Sequence, residues 1–197
     1  MQSHINSLTP DNIVAHLSLI FKHSGTQAYL GEPVTMAQHM LQAASLAEHQ
    51  GHSKVVVAAA LLHDIGHFTS DFGSFSIADI HDRQHEIYGA KVLAPFFPEP
   101  VPQCVLLHVS AKRYLCATRK KYFSQLSAAS VHSLKLQGGP MSAQEVTEFE
   151  ANPHLQEIIQ VRLVDDGGKE TNLKTHSFSD FEHLLQELVD EHCANEN

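Results

Sequence analysis

The feature that most constrains this chain is an uninterrupted apolar run, residues 55–62, that ends directly at His63 and Asp64. A segment without a polar face belongs in a protein interior, because no side of it can face water. Burying the carboxylate of Asp64 there costs roughly several kcal/mol unless a partner pairs with it or coordinates it. The run therefore predicts a buried helix that ends in either a hydrogen-bonded His–Asp pair or part of a metal site.

Further residues with metal-binding side chains favour the metal interpretation over the isolated pair. They are widely spaced, and most lie on predicted helices: His39, His85, His108 and Asp165. Histidine nitrogen and carboxylate oxygen suit iron, manganese or zinc, and the absence of cysteine ligands argues against a structural zinc site. Six such ligands shared by two ions leave open coordination positions, which a catalytic site requires. The sequence therefore predicts a dinuclear catalytic metal centre.

Composition limits the class of protein and of partner. With 197 residues, 43% of them hydrophobic and 18% charged, the chain can bury a core as one soluble domain. A net charge of -9 argues against nucleic acid. The longest apolar run is too short to cross a membrane. These properties predict a soluble enzyme or binding domain for a small molecule, and they leave the oligomeric state open.

The cysteines and the first residues bear on the cellular compartment. Cys104, Cys116 and Cys193 form no CxxC motif and leave one thiol unpaired, which predicts reduced thiols. The first residues carry neither the basic nor the apolar region of a signal peptide. Together these features predict a cytoplasmic protein.

Apolar periodicity and helix-start signals divide the chain into helices without a useful strand signal. The predicted helices cover about residues 10–23, 36–50, 53–66, 82–97, 102–109, 127–136, 142–152, 158–165 and 179–192. Thr35 and Ser142 each begin a capping box, and residues 67–80 are predicted to form a loop. We therefore predict an all-α single domain over residues 1–197, with the metal core at about residues 35–168.

The ligand pattern resembles the HD-domain superfamily, whose best-known members are metal-dependent phosphohydrolases. The His-Asp-Ile-Gly-His motif at residues 63–67 is common there and does not specify a reaction. Other stretches resemble the oxygenases of the 2-amino-1-hydroxyethylphosphonate dioxygenase type, which cleave 1-hydroxyphosphonates with a mixed-valent diiron centre. They are Tyr29-Leu-Gly-Glu32, Ala111-Lys-Arg-Tyr-Leu115, Ala129-Ser130, Leu136-Gln-Gly-Gly-Pro-Met141 and Arg162-Leu-Val-Asp165. The resemblance spans about residues 27–175 and implies an HD-domain helical bundle.

The resemblance implies a division of the ligands between two irons. Asp64 would bridge the ions, with His39, His63 and Asp165 on one iron and His85 and His108 on the other. It also implies an Fe(II)/Fe(III) pair with dioxygen as co-substrate.

The resemblance further implies that the substrate phosphonate contacts His67, Lys112, Ser130 and Gln137. Spacing supports two of these residues. His67 follows His63 by four positions, and Lys112 follows His108 by four, so each would lie one helical turn from a ligand. The alternative for Lys112 is a solvated basic patch over residues 112–121.

Substrate selection is implied to involve Tyr29 and Glu32. The tyrosine would occupy the open iron position until substrate displaces it, and the glutamate would meet the substrate amine. The alternative for Tyr29 is ordinary packing. Phe68, Phe72 and Phe75 could enclose a trimethylated amine. The primary amine and the trimethylated amine therefore both remain candidates, giving glycine or glycine betaine, and the implied catalytic residues are Asp64, His67 and Tyr29.

The predicted activity is oxidative carbon–phosphorus cleavage of a small anionic phosphonate, and three alternatives remain. The first is an HD phosphohydrolase that attacks a nucleotide or phosphate ester with a metal-activated water. The second is an inositol-type ring-cleaving oxygenase, although such enzymes are longer and lack the contexts of Lys112 and Gln137. The third is a degenerate HD domain that serves as a binding module, against which the presence of all six ligands argues. Dioxygen consumption and two irons per chain would distinguish the oxygenase from the hydrolase.

Overall fold

The structure, a computed structural model, describes residues 7–23, 33–69, 82 and 84–195. Within these residues the regular elements are ten α-helices and one 3-10 helix, with no β-strand. They are α1 (Ile13–His23), α2 (Met36–His49), α3 (Lys54–Leu62), α4 (Gly66–Thr69), α5 (His85–Leu93), α6 (Pro100–Thr118), the 3-10 helix (Phe123–Gln125), α7 (Ala128–Leu136), α8 (Ala143–Glu150), α9 (Leu155–Gly167) and α10 (Phe178–Asn195). The all-α prediction is confirmed.

Helix α3 is the centre of the molecule, as its apolar sequence requires. Residues 56–62 are each at most 2% exposed. Helices α2, α6 and α9 pack around α3, and α10 packs against both α3 and α1. The capping boxes at Thr35 and Ser142 are both present, and they fix where α2 and α8 begin.

The predicted helix over residues 53–66 is wrong in its length. Helix α3 ends at Leu62, and residues 63–65 form a turn before α4 begins at Gly66. A Cβ atom at Gly66 would lie 1.8 Å from the carbonyl oxygen of His85, so the chain bends where its backbone meets α5. The idea that His67 shares one continuous helical face with His63 is therefore also wrong. Helix α4 replaces the start of the predicted 67–80 loop, whose residues 70–80 lie outside the described residues.

Two further observations concern membrane-spanning segments and the cysteines. Among the helices that the structure describes, none is long and apolar enough to cross a bilayer. Cys104, Cys116 and Cys193 form no disulfide bond, and Cys104 is buried.

Candidate metal centre

Five separate parts of the chain deliver the six predicted ligands to one place. These residues are His39 in α2, His63 and Asp64 in the turn after α3, His85 at the start of α5, His108 in α6 and Asp165 in α9. Only the side chain of His85 is exposed by as much as 11%, and the others are at most 4% exposed. The packing of α2, α3, α6 and α9 thus converts a dispersed sequence pattern into one buried cluster.

The first half of the cluster contains His39, His63 and Asp165. The two Nε2 atoms of His39 and His63 lie 3.0 Å apart. Oδ1 of Asp165 is 3.3 Å from Nε2 of His39 and 3.8 Å from Nε2 of His63. These three side chains could hold a metal ion between them.

The second half surrounds the other side of Asp64. Nε2 of His85 lies 3.1 Å from Oδ1 of Asp64 and 3.2 Å from Nε2 of His108. Oδ1 of Asp64 is 3.6 Å from Nε2 of His108 and 3.8 Å from Nε2 of His67. The rings of His67 and His85 stack with their centroids 4.1 Å apart. His67, predicted as a phosphonate contact, thus also lies among residues that could hold an ion, together with Asp64 and His85.

Asp64 turns its two carboxylate oxygens toward different halves of the cluster. Oδ2 lies 3.4 Å from Nε2 of His63 and 3.7 Å from Nε2 of His39. Oδ1 instead faces His85 and His108. This geometry is what a carboxylate needs in order to bridge two ions.

Hydrogen bonds on the outer side of the cluster orient three of the histidine rings. Each ring donates from Nδ1 to a backbone carbonyl at 2.7–2.8 Å: His39 to Gly168, His63 to Ala60 and His108 to Val105. With the hydrogen on Nδ1, the lone pair of Nε2 points into the cluster. The two Nε2 atoms of His39 and His63 lie 3.0 Å apart, and their lone pairs would repel each other unless a proton or a metal cation lies between them.

The two carboxylates supply the negative charge that a cation would neutralise. Oδ2 of Asp64 and Oδ1 of Asp165 are buried and accept no hydrogen bond. Burial opposes ionisation, but the neighbouring His63 outweighs it and holds the pKa of Asp64 well below its usual value. Against the same burial, Arg162 and His63 hold the pKa of Asp165 well below its usual value. Buried ionised oxygens that face imidazole lone pairs fit divalent or trivalent metal ions.

A pocket opens from the cluster toward α6, α7 and the segment after α9. The four residues predicted to contact a phosphonate all line it: His67, Lys112, Ser130 and Gln137. Ser133 and Lys169 line it as well, and the pocket reaches Asp64, His85, His108 and Asp165 of the cluster. Oε1 of Gln137 is buried without a hydrogen-bond partner. The pocket thus combines metal-binding side chains with cationic and hydroxyl groups suited to an anion.

Lys112 is a pocket residue, so the alternative of a solvated basic patch is wrong for it. The residue is 3% exposed, whereas Lys120 and Lys121 lie on the surface. Its Nζ donates to Oγ of Ser133 at 2.8 Å. Burial lowers the pKa of Lys112 to about 7, with a smaller contribution from repulsion by Arg162. An anion in the pocket would favour its protonated form.

Arg162 and Lys169 also line the pocket, and neither was predicted as a site residue. Arg162 is 4% exposed, and its Nη1 donates to Oδ2 of Asp165 at 2.6 Å. It also contacts Asp166 and donates from Nε to the hydroxyl of Tyr122 at 3.0 Å. Arg162 could have been identified from the sequence, because it lies in an apolar stretch three residues before the predicted metal ligand Asp165. Nothing in the sequence alone marks Lys169.

Four of the residues predicted to act on the substrate lie outside the described residues: Tyr29, Glu32, Phe72 and Phe75. Phe68 is half-buried in α4 and packs against the hydrophobic core. The roles predicted for the first four therefore stay predictions.

Comparison with known proteins identifies a family and two similar enzymes. The model of the HD domain family matches residues 36–138. The chain is 54% identical over 190 residues to the 1-hydroxy-2-(trimethylamino)ethyl phosphonate dioxygenase (glycine-betaine-forming) of Leisingera caerulea, covering 96% of this chain and 97% of the relative. It is 42% identical over 178 residues to the hydroxymethylphosphonate dioxygenase of Gimesia maris, covering 89% of this chain and 87% of that relative.

Proposed function

The chain belongs to the HD-domain family, and we propose that within this family it is an iron- and dioxygen-dependent oxygenase that cleaves the carbon–phosphorus bond of a 1-hydroxyphosphonate. The observation that carries the proposal is the placement of Asp64 between two ligand clusters, next to a pocket lined by Lys112, Ser130 and Gln137. Both named relatives are dioxygenases of 1-hydroxyphosphonates, which favours this activity over the hydrolysis of a phosphate ester.

We propose that the six ligands hold two iron ions. His39, His63 and Asp165 would hold one, His85 and His108 the other, and Asp64 both. A mixed-valent pair would supply the activation of dioxygen and the oxidation of the substrate carbon. The chain itself would supply the ligand geometry and a carboxylate bridge, and it would exclude water from this buried cluster.

The pocket side chains would orient the substrate. Lys112 would pair with the phosphonate, while Ser130 and Gln137 would donate hydrogen bonds to its oxygens. His67 stacks on His85 next to Asp64, so it would meet a phosphonate oxygen at the end of the pocket nearest the metal centre. These contacts would place the substrate hydroxyl and C1 toward the ligand cluster.

For the substrate we propose the trimethylated compound, 1-hydroxy-2-(trimethylamino)ethylphosphonate, with glycine betaine and phosphate as products. The support is the 54% identity to the relative that carries this activity in its name. As the family resemblance implies, Tyr29 would leave the open iron position when the substrate binds, and Glu32 would face the cationic nitrogen. The reaction balances with one dioxygen for each substrate, because the carboxylate and the phosphate together gain two oxygen atoms.

The test is aerobic incubation of iron-loaded protein with the trimethylated substrate, its primary-amine analogue and hydroxymethylphosphonate. We expect one dioxygen consumed for each phosphate released, two irons per chain and the fastest turnover with the trimethylated substrate. Phosphate release from a phosphate ester without dioxygen uptake would instead identify a phosphohydrolase. Faster turnover of hydroxymethylphosphonate would contradict the proposal of a cationic substrate but would still support the oxygenase activity.

A further inference from the structure

Two lysines from different parts of the chain reach the same face of helix α7. Ser130 and Ser133 are three residues apart, so their side chains lie on one side of this helix, and both line the pocket. Lys112, from α6, donates to Oγ of Ser133 at 2.8 Å. Lys169, from the segment after α9, donates to Oγ of Ser130 at 3.1 Å. Each lysine is thus held beside a hydroxyl group at the pocket wall.

We propose that Lys169 is a second phosphonate-binding cation and that it forms a lysine clamp with Lys112, Ser130 and Ser133. The inference rests on the proposed function, since it names a further residue that recognises the phosphonate. A phosphonate dianion offers three oxygens and two negative charges, whereas each ammonium group offers three donors and no acceptor. Two lysines therefore match the charge of the dianion, and the serine hydroxyls can rotate to donate to the remaining lone pairs.

The backbone on both sides of Lys169 is fixed to α2, the helix that carries His39. The carbonyl of Gly168 accepts the Nδ1 hydrogen of His39 at 2.8 Å. The side chain of Gln42 donates to the carbonyl of Glu170 at 2.6 Å and accepts from its amide at 2.9 Å. Lys169 thus lies between two residues, Gly168 and Glu170, that both hydrogen-bond to side chains of α2.

Gly168 is required for this close approach. A Cβ atom there would lie 2.9 Å from the carbonyl oxygen of His39 and 3.2 Å from its Nδ1. The same hydrogen bond that orients a ligand of the metal centre therefore also sets the position of Lys169. A phosphonate held by the clamp would in this way be placed relative to the first half of the cluster.

The experiment compares Lys169→Met, Lys169→Arg and the control Lys174→Met. Methionine keeps an unbranched side chain, one atom shorter than that of lysine, and removes its charge, and Lys174 is an exposed lysine in the same segment. Binding of methylphosphonate to the iron-loaded protein is measured by calorimetry without dioxygen. KM and kcat are measured by dioxygen uptake with the trimethylated substrate and with hydroxymethylphosphonate.

We expect Lys169→Met to weaken methylphosphonate binding about 10- to 100-fold, as the loss of a charge-assisted hydrogen bond does. KM should rise by the same factor for both substrates because they share the phosphonate, while iron content stays unchanged. Lys169→Arg should recover most of the affinity, and Lys174→Met should behave as the wild type.

Two results would overturn the clamp. One is unchanged methylphosphonate affinity in Lys169→Met, and the other is a loss confined to the cationic substrate. A wild-type protein that binds methylphosphonate through Lys169 but consumes no dioxygen with any 1-hydroxyphosphonate would reject the proposed function and leave the clamp as an anion site.

Discussion

At the scale of single residues, Asp64 is the side chain on which both halves of the cluster depend. Its two oxygens face different histidines, and Oδ2 has no hydrogen-bond partner. We expect Asp64→Asn to lower iron content to less than one ion per chain and to abolish turnover, because the amide keeps the shape but loses the charge. Metal analysis and the circular dichroism spectrum test this prediction. Two irons in a folded Asp64→Asn variant would contradict the bridging role.

Arg162 acts at the same scale but on the outer side of the cluster. It is a buried cation between Asp165 and Asp166. Removing one partner of a buried ion pair costs about 3–5 kcal/mol, because the other charge stays buried and uncompensated. We therefore expect Arg162→Met to lower the free energy of unfolding of the metal-free protein by roughly this amount, measured in urea.

The matched control for Arg162 is Tyr122→Phe. This change removes the hydroxyl that hydrogen-bonds to Arg162 and Asp166. It leaves the ion pairs of Arg162 with the two aspartates in place. It should cost only about 1 kcal/mol. If Arg162→Met lowers the free energy of unfolding no more than Tyr122→Phe does, the ion pairs contribute little to stability.

At the scale of elements, the contact between α4 and α5 brings His85 to Asp64. A Cβ atom at Gly66 would lie 1.8 Å from the carbonyl oxygen of His85 and 2.7 Å from the amide nitrogen of Gly89, and these backbone atoms cannot move aside cheaply. We expect Gly66→Ala to destabilise the protein by at least roughly 1–3 kcal/mol and to lower iron content in the half that contains His85. Urea unfolding and metal analysis measure both effects.

Gly167→Ala is the matched control for the α4–α5 contact. Its Cβ would meet only the end of the Leu46 side chain, at 2.6 Å, which can rotate away. Alanine also favours a helix over glycine by about 1 kcal/mol. The change at this end of α9 should therefore be nearly neutral, and a loss as large as that of Gly66→Ala would argue against a special contact between α4 and α5.

Elements defined by local signals were predictable, whereas the break after α3 was not. Thr35 and Ser142 form their capping boxes with residues three positions later, so the information lies within one helical turn. The turn at residues 63–65 instead reflects the meeting of Gly66 with α5, which begins far along the chain. No window of sequence around His63 contains that contact.

At the scale of the whole molecule, metal binding should stabilise the fold, because the ligands come from α2, the turn after α3, α5, α6 and α9. A ligand that binds only the folded state at 100 times its Kd contributes about 2.7 kcal/mol, which for a chain of this length raises Tm by roughly 5–10 °C. We expect a chelator to lower the Tm of the iron-loaded protein by about this amount. The Asp64→Asn variant should show no such shift, and an equal shift there would place the stabilising metal elsewhere.

The sequence by itself determined the all-α class, the buried helix before His63 and the six residues that meet in the cluster, because burial of a charged pair and the chemistry of the ligands are local properties. Ser130 and Gln137 were singled out only by the resemblance of their motifs to those of the phosphonate oxygenases, whereas the spacing from His108 also supported Lys112. Only the tertiary structure decided that Asp64 faces the two halves with different oxygens, that Arg162 holds Asp165 and that Lys169 reaches Ser130. The position of Lys169 depends on α2, far away in the sequence, through His39 and Gln42. Contacts of this kind arise when helices pack, so no local pattern of residue types could specify them.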